Sequence, residues 1–380
     1  VDTGKPAWTE AVTATDRLEY SYATDTSKEI FDNWLDVAYQ FGNFRTGIML
    51  KSSAPSEEGE RGNEIEHRFF EFDTGDVGVR VGHFYGIFGR GMIFNGYEDR
   101  TVRVDTRLDG IIGNVRKGRV TGTIFSGSPS VQQVDIRATD WEIAAPAGIL
   151  VGGTGLTYSP DDDFEDVDGT VHRDWAAAAR LRQNFGFGDY YLETGWNMTR
   201  DELENRYDRG SALYGNLNLY RGPLSLSWET SDYERYEIVP RADGIVALNR
   251  PPALAREFTW TLLNRAPHVL NANDEVGNNL DLMASDLSGW SLIASGALIE
   301  NHAGETIYEL AFGGFEKERL GDFRLKGGFG YQDSEGLRQT IVGELTWFAT
   351  PTRSLSLQAE HQHVRLGGGE GYDLGAYDQQ

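Results

Sequence analysis

The amino-acid sequence predicts an all-β protein, a transmembrane antiparallel up-and-down β-barrel of about 18 strands, with a range of about 16–20. Three observations predict this fold class. Apolar and polar residues alternate with a period of two over many segments. Tight turns alternate along the chain with longer, more polar connections. Aromatic residues gather beside the tight turns, as in the aromatic girdle at a membrane interface.

The period-two alternation indicates strands with one apolar and one polar face. In segment 354–362, Leu355, Leu357 and Ala359 alternate with polar residues, and segment 322–331 repeats the pattern. Many such segments approach the roughly 9–11 residues that a tilted strand needs to cross a bilayer. Strands of soluble proteins are usually shorter, about 5–6 residues.

The tight turns predict nine hairpins, and hence about 18 strands. We predict these turns at 41–44, 73–76, 116–118, 145–147, 185–188, 220–223, 286–289, 319–321 and 349–352. Longer connections are predicted at 53–63, 85–109, 159–172, 197–209, 233–256 and 333–337. Short turns on one side and long loops on the other predict periplasmic turns and extracellular loops.

A soluble propeller or sandwich is the alternative, because its strands also bury one face. The polar faces argue against it, since they carry charged residues at mid-strand, such as Arg324, Lys326 and Glu344. A water-filled barrel interior tolerates such charges and a sandwich core does not. We also find no propeller repeat of about 40 residues.

The N-terminal region is predicted to be a periplasmic arm at 1–16, followed by a single barrel domain at 17–380. The segment 16–22 is also readable as one further strand, which would then need a closing strand after Leu366. The chain starts at Val1 without an initiator Met, so we expect a removed signal peptide and a location in the bacterial outer membrane.

Composition excludes several classes of protein. The chain has 380 residues, no cysteine, 39% hydrophobic residues and a net charge of −24. It is too apolar to be disordered, and it cannot form disulfides or thiolate metal sites. The acidic excess argues against nucleic-acid binding, which needs clustered Lys and Arg.

The most distinctive segment is an arginine-rich loop at about 85–109, inside a region 77–120 with eight basic and four acidic residues. A loop folded into the barrel could set a transverse field and narrow the pore. A structural network of ion pairs is the alternative. The candidate pore-lining or constriction residues are Arg90, Glu98, Asp99, Arg100, Arg103, Asp105, Arg107 and Asp109.

An acidic cluster at 161–168 is the candidate metal site. Carboxylates in this density can chelate Ca²⁺, but the spacing does not fit a complete EF-hand loop, and a solvated acidic loop is the alternative. The candidate Ca²⁺ ligands are Asp161, Asp163, Glu165, Asp166 and Asp168. His361 and His363 share one face of a predicted strand and are interpreted as barrel-wall residues rather than metal ligands.

We expect no enzyme activity, because no nucleophile elbow, zinc-protease motif or phosphate loop is present in the sequence. No cofactor is expected apart from Ca²⁺. The expected partners are membrane lipid and small hydrophilic solutes or ions, together with a homo-oligomer or an envelope protein.

Two segments carry a resemblance to a known family. One contains Gly-Arg-Gly at 89–91, Tyr-Glu-Asp-Arg at 97–100 and Asp-Thr-Arg-Leu-Asp-Gly at 105–110. The other contains Arg-Glu-Phe-Thr at 256–259 and Leu-Leu-Asn-Arg-Ala-Pro-His at 262–268, followed by 271–275. Together they resemble an uncharacterised family of porin-like outer-membrane β-barrels of Gram-negative bacteria. The resemblance implies a fold and a location but no substrate.

These observations predict a porin-like channel for passive diffusion of small hydrophilic solutes or ions. The first alternative is a non-conducting barrel that scaffolds or anchors an envelope or surface assembly through its long loops, notably 233–256. The second alternative is a barrel enzyme that acts on lipid or a surface polymer.

Overall fold

A computed structural model describes most of the chain. The described residues are 11–24, 27–56, 59, 61–99, 104–129, 134–160, 173–201, 206–240, 246–254, 256–334, 336–366 and 376–379. None of the helices in this part of the chain is long and apolar enough to cross a membrane.

Among the described residues, the architecture is one main antiparallel sheet of 20 strands, in which consecutive strands of the sheet are paired. The first five strands are β1 (Val12–Ala23), β2 (Lys28–Phe41), β3 (Phe44–Ser53), β4 (Gly62–Asp73) and β5 (Val77–Phe84). Four two-residue strands then form two small hairpins outside the main sheet: β6 (Ile87–Phe88), β7 (Phe94–Asn95), β8 (Glu98–Asp99) and β9 (Val104–Asp105).

The main sheet continues from β5 directly to β10. Its remaining strands are β10 (Leu108–Lys117), β11 (Val120–Pro129), β12 (Val134–Ala144), β13 (Ile149–Pro160), β14 (Asp174–Phe185), β15 (Gly188–Asp201), β16 (Arg206–Arg221), β17 (Leu224–Glu234), β18 (Asp274–Ala284), β19 (Trp290–Glu300), β20 (Thr306–Leu320), β21 (Phe323–Asp333), β22 (Gly336–Thr350), β23 (Arg353–Leu366) and β24 (Ala376–Gln379).

The predicted fold class is confirmed, since the strands run up and down in chain order and all pairings are antiparallel. The nine predicted hairpins are β2–β3, β4–β5, β10–β11, β12–β13, β14–β15, β16–β17, β18–β19, β20–β21 and β22–β23. Several turns need a left-handed residue, which Gly118 (φ 62°) and Gly222 (φ 58°) supply without steric cost.

The sheet has two strands more than the central prediction of about 18, and it stays within the predicted range. The additional strands are β1 and β24. β1 starts at Val12, before the predicted start of the barrel at residue 17, because the alternating segment 16–22 extends towards the N-terminus. Among the described residues, β1 pairs with β2 and β24 with β23, so these two strands form the edges of the sheet.

The two faces of the sheet differ in polarity. We call the face that contacts the long loops the inner face, and the opposite face the outer face. The outer face exposes large apolar side chains along most strands, including Ile124, Leu192, Trp196, Leu213, Trp228, Leu280, Leu298, Phe329, Ile341 and Leu345. The inner face carries charged side chains from the same strands, including Arg80, Asp140, Arg180, Glu193, Asp281, Glu316, Lys326 and Glu344.

The described residues of two long connections lie against the inner face and link strands that are far apart in the sheet. Loop 85–107 runs from β5 to β10 and reaches β15 through Glu193. Loop 235–273 runs from β17 to β18 and reaches β23 through Glu360. The sheet therefore curls around the two loops, and the largest buried cluster consists of loop residues together with inner-face residues of the strands.

Candidate functional site

Loop 85–107 folds inward around a small apolar core of its own. Its two hairpins place Phe88 opposite Phe94 and Glu98 opposite Asp105. Phe88 and Phe94 pack against Phe125 of β11, with ring centroids 5.3 and 5.0 Å apart. Aromatic packing thus holds the first half of the loop against the wall.

Glu193 of β15 is the polar anchor of this loop. Its side chain is fully buried, and its Oε2 accepts hydrogen bonds from the backbone N–H of Arg90 at 3.0 Å and from the hydroxyl of Tyr191 at 2.5 Å. Gly89 adopts a left-handed φ of 59°, and a Cβ there would lie 2.0 Å from Glu193 Oε1. Only glycine therefore lets the backbone approach the carboxylate.

The guanidinium group of Arg90 lies over two tyrosine rings of the wall. Its carbon is 4.8 Å from the ring centroid of Tyr191 and 5.7 Å from that of Tyr214. These cation–π contacts place the positive charge of Arg90 on the inner wall, at the point where the loop crosses it.

The second half of the loop forms an ion network with β4. Arg107 is largely buried and contacts Glu66 at 2.9 Å and Asp105 at 3.4 Å. Asp105 also accepts a hydrogen bond from the Tyr85 hydroxyl at 3.1 Å. Burial, followed by the charge of Asp105, raises the pKa of both Tyr85 and Glu98. Acidic and basic groups therefore meet across the space between loop and wall.

The structure places the predicted constriction residues at two separate parts of the wall, with Arg90 at β15 and β16 and Arg107 and Asp105 at β4. Arg90, Glu98, Asp99, Asp105 and Arg107 lie in loop 85–107. Their function in a constriction stays a prediction. The loop ends two residues earlier than the predicted boundary of 109, because β10 starts at Leu108. Arg100 and Arg103 lie outside the described residues.

Asp109 stands apart from the other candidates. It is a residue of β10, not of loop 85–107. It contacts Arg68 at 3.1 Å and His83 at 3.7 Å. Asp109 therefore pairs with β4 and β5 rather than with residues of loop 85–107.

The candidate Ca²⁺ ligands cannot be placed in the fold. Asp161, Asp163, Glu165, Asp166 and Asp168 lie outside the described residues. The described residues contain no group of three or more His, Asp or Glu side chains suited to a metal ion. His361 and His363 are exposed on the outer face of β23.

Sequence reasoning did not identify the inward position of loop 235–273, since it predicts the connection 233–256 as a long extracellular loop and assigns it partner binding only in the non-conducting alternative. Its residues Tyr236, Ile238, Leu248 and Leu254 are buried in the same cluster as loop 85–107. The only signal in the sequence is the presence of these large apolar residues in a connection that also holds prolines.

The two loops bind each other through backbone groups. Asn249 donates from Nδ2 to the carbonyl oxygens of Met92 at 3.1 Å and Tyr236 at 2.9 Å. The N–H of Arg250 donates to the carbonyl oxygen of Gly91 at 2.9 Å. Because Asn249 is itself buried, these bonds join the loops into one inner unit.

Glycines on the inner face receive the side chains of loop 235–273. A Cβ at Gly195 would lie 1.9 Å from the Tyr236 hydroxyl oxygen, and one at Gly277 would lie 2.7 Å from Leu254. At Gly330 it would lie 2.5 Å from a methyl carbon of Leu263. The wall is thus shaped to accept this loop along three separate strands.

The far end of loop 235–273 is held by β23 and by β21, where Gln332 Nε2 donates to the Leu263 carbonyl oxygen at 3.0 Å. The Glu360 carboxylate accepts hydrogen bonds from the N–H groups of Thr261 at 3.0 Å and Leu262 at 2.7 Å. These residues start a short 3-10 turn, Leu262–Asn264. Gln362 Nε2 donates to the Leu262 carbonyl oxygen at 2.9 Å. A carboxylate at the beginning of the turn satisfies N–H groups that would otherwise be unpaired.

A ladder of ion pairs stiffens the wall that faces the loops. Arg180 of β14 makes two bonds to Asp140 of β12, at 2.6 and 2.8 Å. Glu142 contacts Arg180 at 3.5 Å and Arg182 at 2.7 Å. Such bidentate pairs are strong and geometrically specific, so the charged wall keeps a fixed shape.

His302 lies in the connection between β19 and β20. It bridges β17 and β18 at the ends that are joined by loop 235–273. Its Nδ1 is 2.7 Å from Asp274 and its Nε2 is 3.1 Å from Asp232. Hydrogen bonding to Asp274, with the charge of both carboxylates, raises the pKa of His302. The bridge therefore holds a charged imidazolium over a wider pH range than a free histidine does.

We expect the His302 bridge to stabilise the barrel at low but not at high pH. The pKa of His302 is raised in the folded protein. The stability that the bridge contributes is therefore fully present below about pH 6.5, and it is lost as the pH rises through the pKa of the folded protein. The melting temperature of His302→Gln should fall below that of the parent near pH 6 and match it near pH 9. An equal difference in melting temperature near pH 6 and near pH 9 would show that the charge of His302 does not stabilise the protein.

Several solved structures are similar to this chain. OccK3 (OpdO) of Pseudomonas aeruginosa is 9% identical, with a TM-score of 0.45, over 92% of this chain and 94% of that chain. A BenF-like porin of Pseudomonas fluorescens is 10% identical, with a TM-score of 0.44, over 92% and 99%. Wzi of Escherichia coli, a carbohydrate-binding β-barrel involved in capsule assembly, is 10% identical, with a TM-score of 0.43, over 92% and 82%.

No curated protein sequence matches the chain. A protein-family model does match, over residues 10–292 of the 380. This match includes both loops that lie against the inner face. It confirms the expectation of an uncharacterised family, and the chain belongs to the family of unknown function DUF6029.

Proposed function

We propose that the protein is an outer-membrane, porin-like channel for passive diffusion of small hydrophilic solutes or ions. The observation that carries the proposal is the polarity of the sheet, with large apolar side chains outside and charged side chains inside. An apolar outer face suits lipid, and a charged inner face suits a water-filled lumen. In this arrangement the short turns face the periplasm and the long loops face the exterior.

Loop 85–107 is the proposed constriction. It lies against the inner face of the sheet, and its Arg107 pairs with Glu66 of β4 and with Asp105 of the loop, close to Glu98. Opposed charges across a narrow passage create a transverse field and restrict the size of the solute. We therefore propose that Arg90, Arg107 and the acidic residues beside them set selectivity, as Arg100 and Arg103 also would.

Single-channel conductance of the detergent-solubilised protein in a planar lipid bilayer tests this function. We expect discrete conductance steps, and a reversal potential under a salt gradient that gives the sign of the selectivity. Insertion into the bilayer without conductance would contradict the channel.

A non-conducting barrel is the second candidate, and the apolar contact between the two inner loops favours it. Met92, Ile93, Ile238 and Leu254 are almost fully buried between the loops and the wall. A barrel filled in this way would scaffold or anchor an envelope assembly. Absence of conductance together with a co-purifying envelope protein would support it over the channel.

A pair of arginine substitutions tests the membrane placement. Ile124 is 65% exposed on the outer face of β11, whereas Thr123 is its neighbour on the inner face. An arginine on the lipid face at mid-membrane costs about 2–4 kcal/mol. Ile124→Arg should therefore fold poorly into lipid vesicles and Thr123→Arg should fold normally. The folded fraction is read from the gel mobility of unboiled samples, and equal folding of both variants would argue against a lipid-facing outer surface.

A further inference from the structure

A polar recess lies between the inner face of β16–β19 and loop 235–273. Its volume is about 430 Å³, within the range of about 300–1,000 Å³ that is usual for small-molecule sites. The polar residues that line it are Asn218, Glu229, Arg256, Glu257, Asn279 and Asp281. No residue of loop 85–107 lines the recess. The nearest link is Tyr214 of β16, which lies under Arg90 and donates from its hydroxyl to Glu229 at 2.6 Å.

The charge of the recess is negative. Three carboxylates face a single guanidinium, that of Arg256. Arg256 is already engaged, because it bonds to both Asp281 and Ser295. Glu229 and Glu257 therefore have no cation among the residues that line the recess. Their charge favours a cationic ligand in a site that is partly removed from water.

The unused hydrogen-bonding capacity of the recess is of the acceptor type. Asn279 is only 4% exposed, and its Oδ1 has no hydrogen-bond partner. Its Nδ2 donates to Asp281 at 3.3 Å, so the opposite amide orientation would set two oxygens against each other. Asn218 uses its amide hydrogens on Asp189 and Asn216. A buried acceptor without a partner is costly, and a ligand that donates hydrogen bonds would satisfy it.

We propose that this recess binds small organic cations that carry N–H donors, with a diamine as the representative ligand. One ammonium group would lie near Glu229 and donate to Asn279, and Glu257 would neutralise the second. The apolar lining from Met283 and Ile293 would contact the carbon chain. The proposal rests on the proposed channel for the way in which the solute arrives, but binding itself does not require conductance.

Isothermal titration calorimetry of the full chain in detergent tests the site, with 1,4-diaminobutane as the probe and succinate as the anionic control. We expect saturable one-to-one binding of the diamine and none of succinate. Glu229→Gln and Asn279→Leu should each weaken binding about tenfold. Glu257→Gln should also weaken it, and this residue is exposed, so the test does not depend on a buried substitution.

Glu316→Gln is the matched control. Glu316 also lies on the inner face, where it pairs with Lys326 at 3.5 Å, but it does not line the recess. Glu316→Gln removes one negative charge from the inner face, as Glu229→Gln does, and should leave the affinity for the diamine unchanged. Absence of diamine binding, equal binding of succinate, or an equal loss in Glu316→Gln would overturn the proposal. Conductance is measured separately, so a channel without diamine binding removes the site alone, and diamine binding without conductance removes the channel alone.

Discussion

Joining β17 directly to β18 is expected to raise the conductance of the protein severalfold. Glu234 and Asp274 are paired directly opposite each other at the ends of these strands. A short Asn-Gly turn can therefore replace loop 235–273 without changing the register of the sheet. The replacement removes the loop residues that pack against Gly195, Gly277 and Gly330. A barrel of this size is wide enough for an aqueous channel, so removal of one of the two inner loops widens the route while loop 85–107 stays in place.

We expect the shortened protein to be less stable than the parent, and this loss of stability can be measured independently of the conductance. The shortened protein loses the burial of Tyr236, Ile238, Leu248 and Leu254, each contributing about 1.5–3 kcal/mol. Its melting temperature should therefore fall while its β-sheet circular dichroism stays. Gly277→Val is a milder way to disturb the position of loop 235–273, because the valine side chain would collide with Leu254. Gly313→Val is its control, since a Cβ at Gly313 has no atom within 4 Å. Unchanged conductance in the folded, shortened protein would mean that the loop does not obstruct the route.

The strands and turns could be predicted because their signals are local. Alternation such as that of Leu355, Leu357 and Ala359 reports which residues share a face, whatever the strand pairs with. The turns at Gly118 and Gly222 need a left-handed backbone that glycine adopts freely. The same local evidence was weakest at the ends of the chain, and β1 and β24 were therefore the uncertain strands.

The positions of the loops could not be predicted, because their contacts are distant in sequence. The N–H of Arg90 finds its acceptor on Glu193, 103 residues away, and that of Thr261 finds Glu360, 99 residues away. Nothing in the local pattern links such pairs. The charge of the arginine-rich loop offers a place inside the barrel as one of two interpretations, whereas the connection 233–256 carries no comparable signal and is predicted to be extracellular.

Glu193 is the single residue whose loss should release loop 85–107. Glu193→Ala leaves the buried hydroxyl of Tyr191 without an acceptor, at about 1–3 kcal/mol, and removes the acceptor of the partly buried N–H of Arg90. Arg180 keeps its two bonds to Asp140, so the wall itself should survive the substitution. We expect trypsin to cleave after Arg90 in this variant at a protease concentration that leaves the parent intact.

Two matched variants separate loss of the anchor from a general loss of stability. Glu193→Gln keeps an oxygen acceptor for the Arg90 N–H and should protect the loop almost as well as the parent. Glu71→Ala removes an inner-face carboxylate that pairs only with Arg80 among the described contacts, at 3.5 Å, and should leave cleavage after Arg90 unchanged. Cleavage that is equally fast in Glu193→Ala and Glu71→Ala would show that the loop is held by the barrel as a whole. Cleavage confined to Glu193→Ala would show that the buried carboxylate of Glu193 holds loop 85–107, the proposed constriction, against the wall.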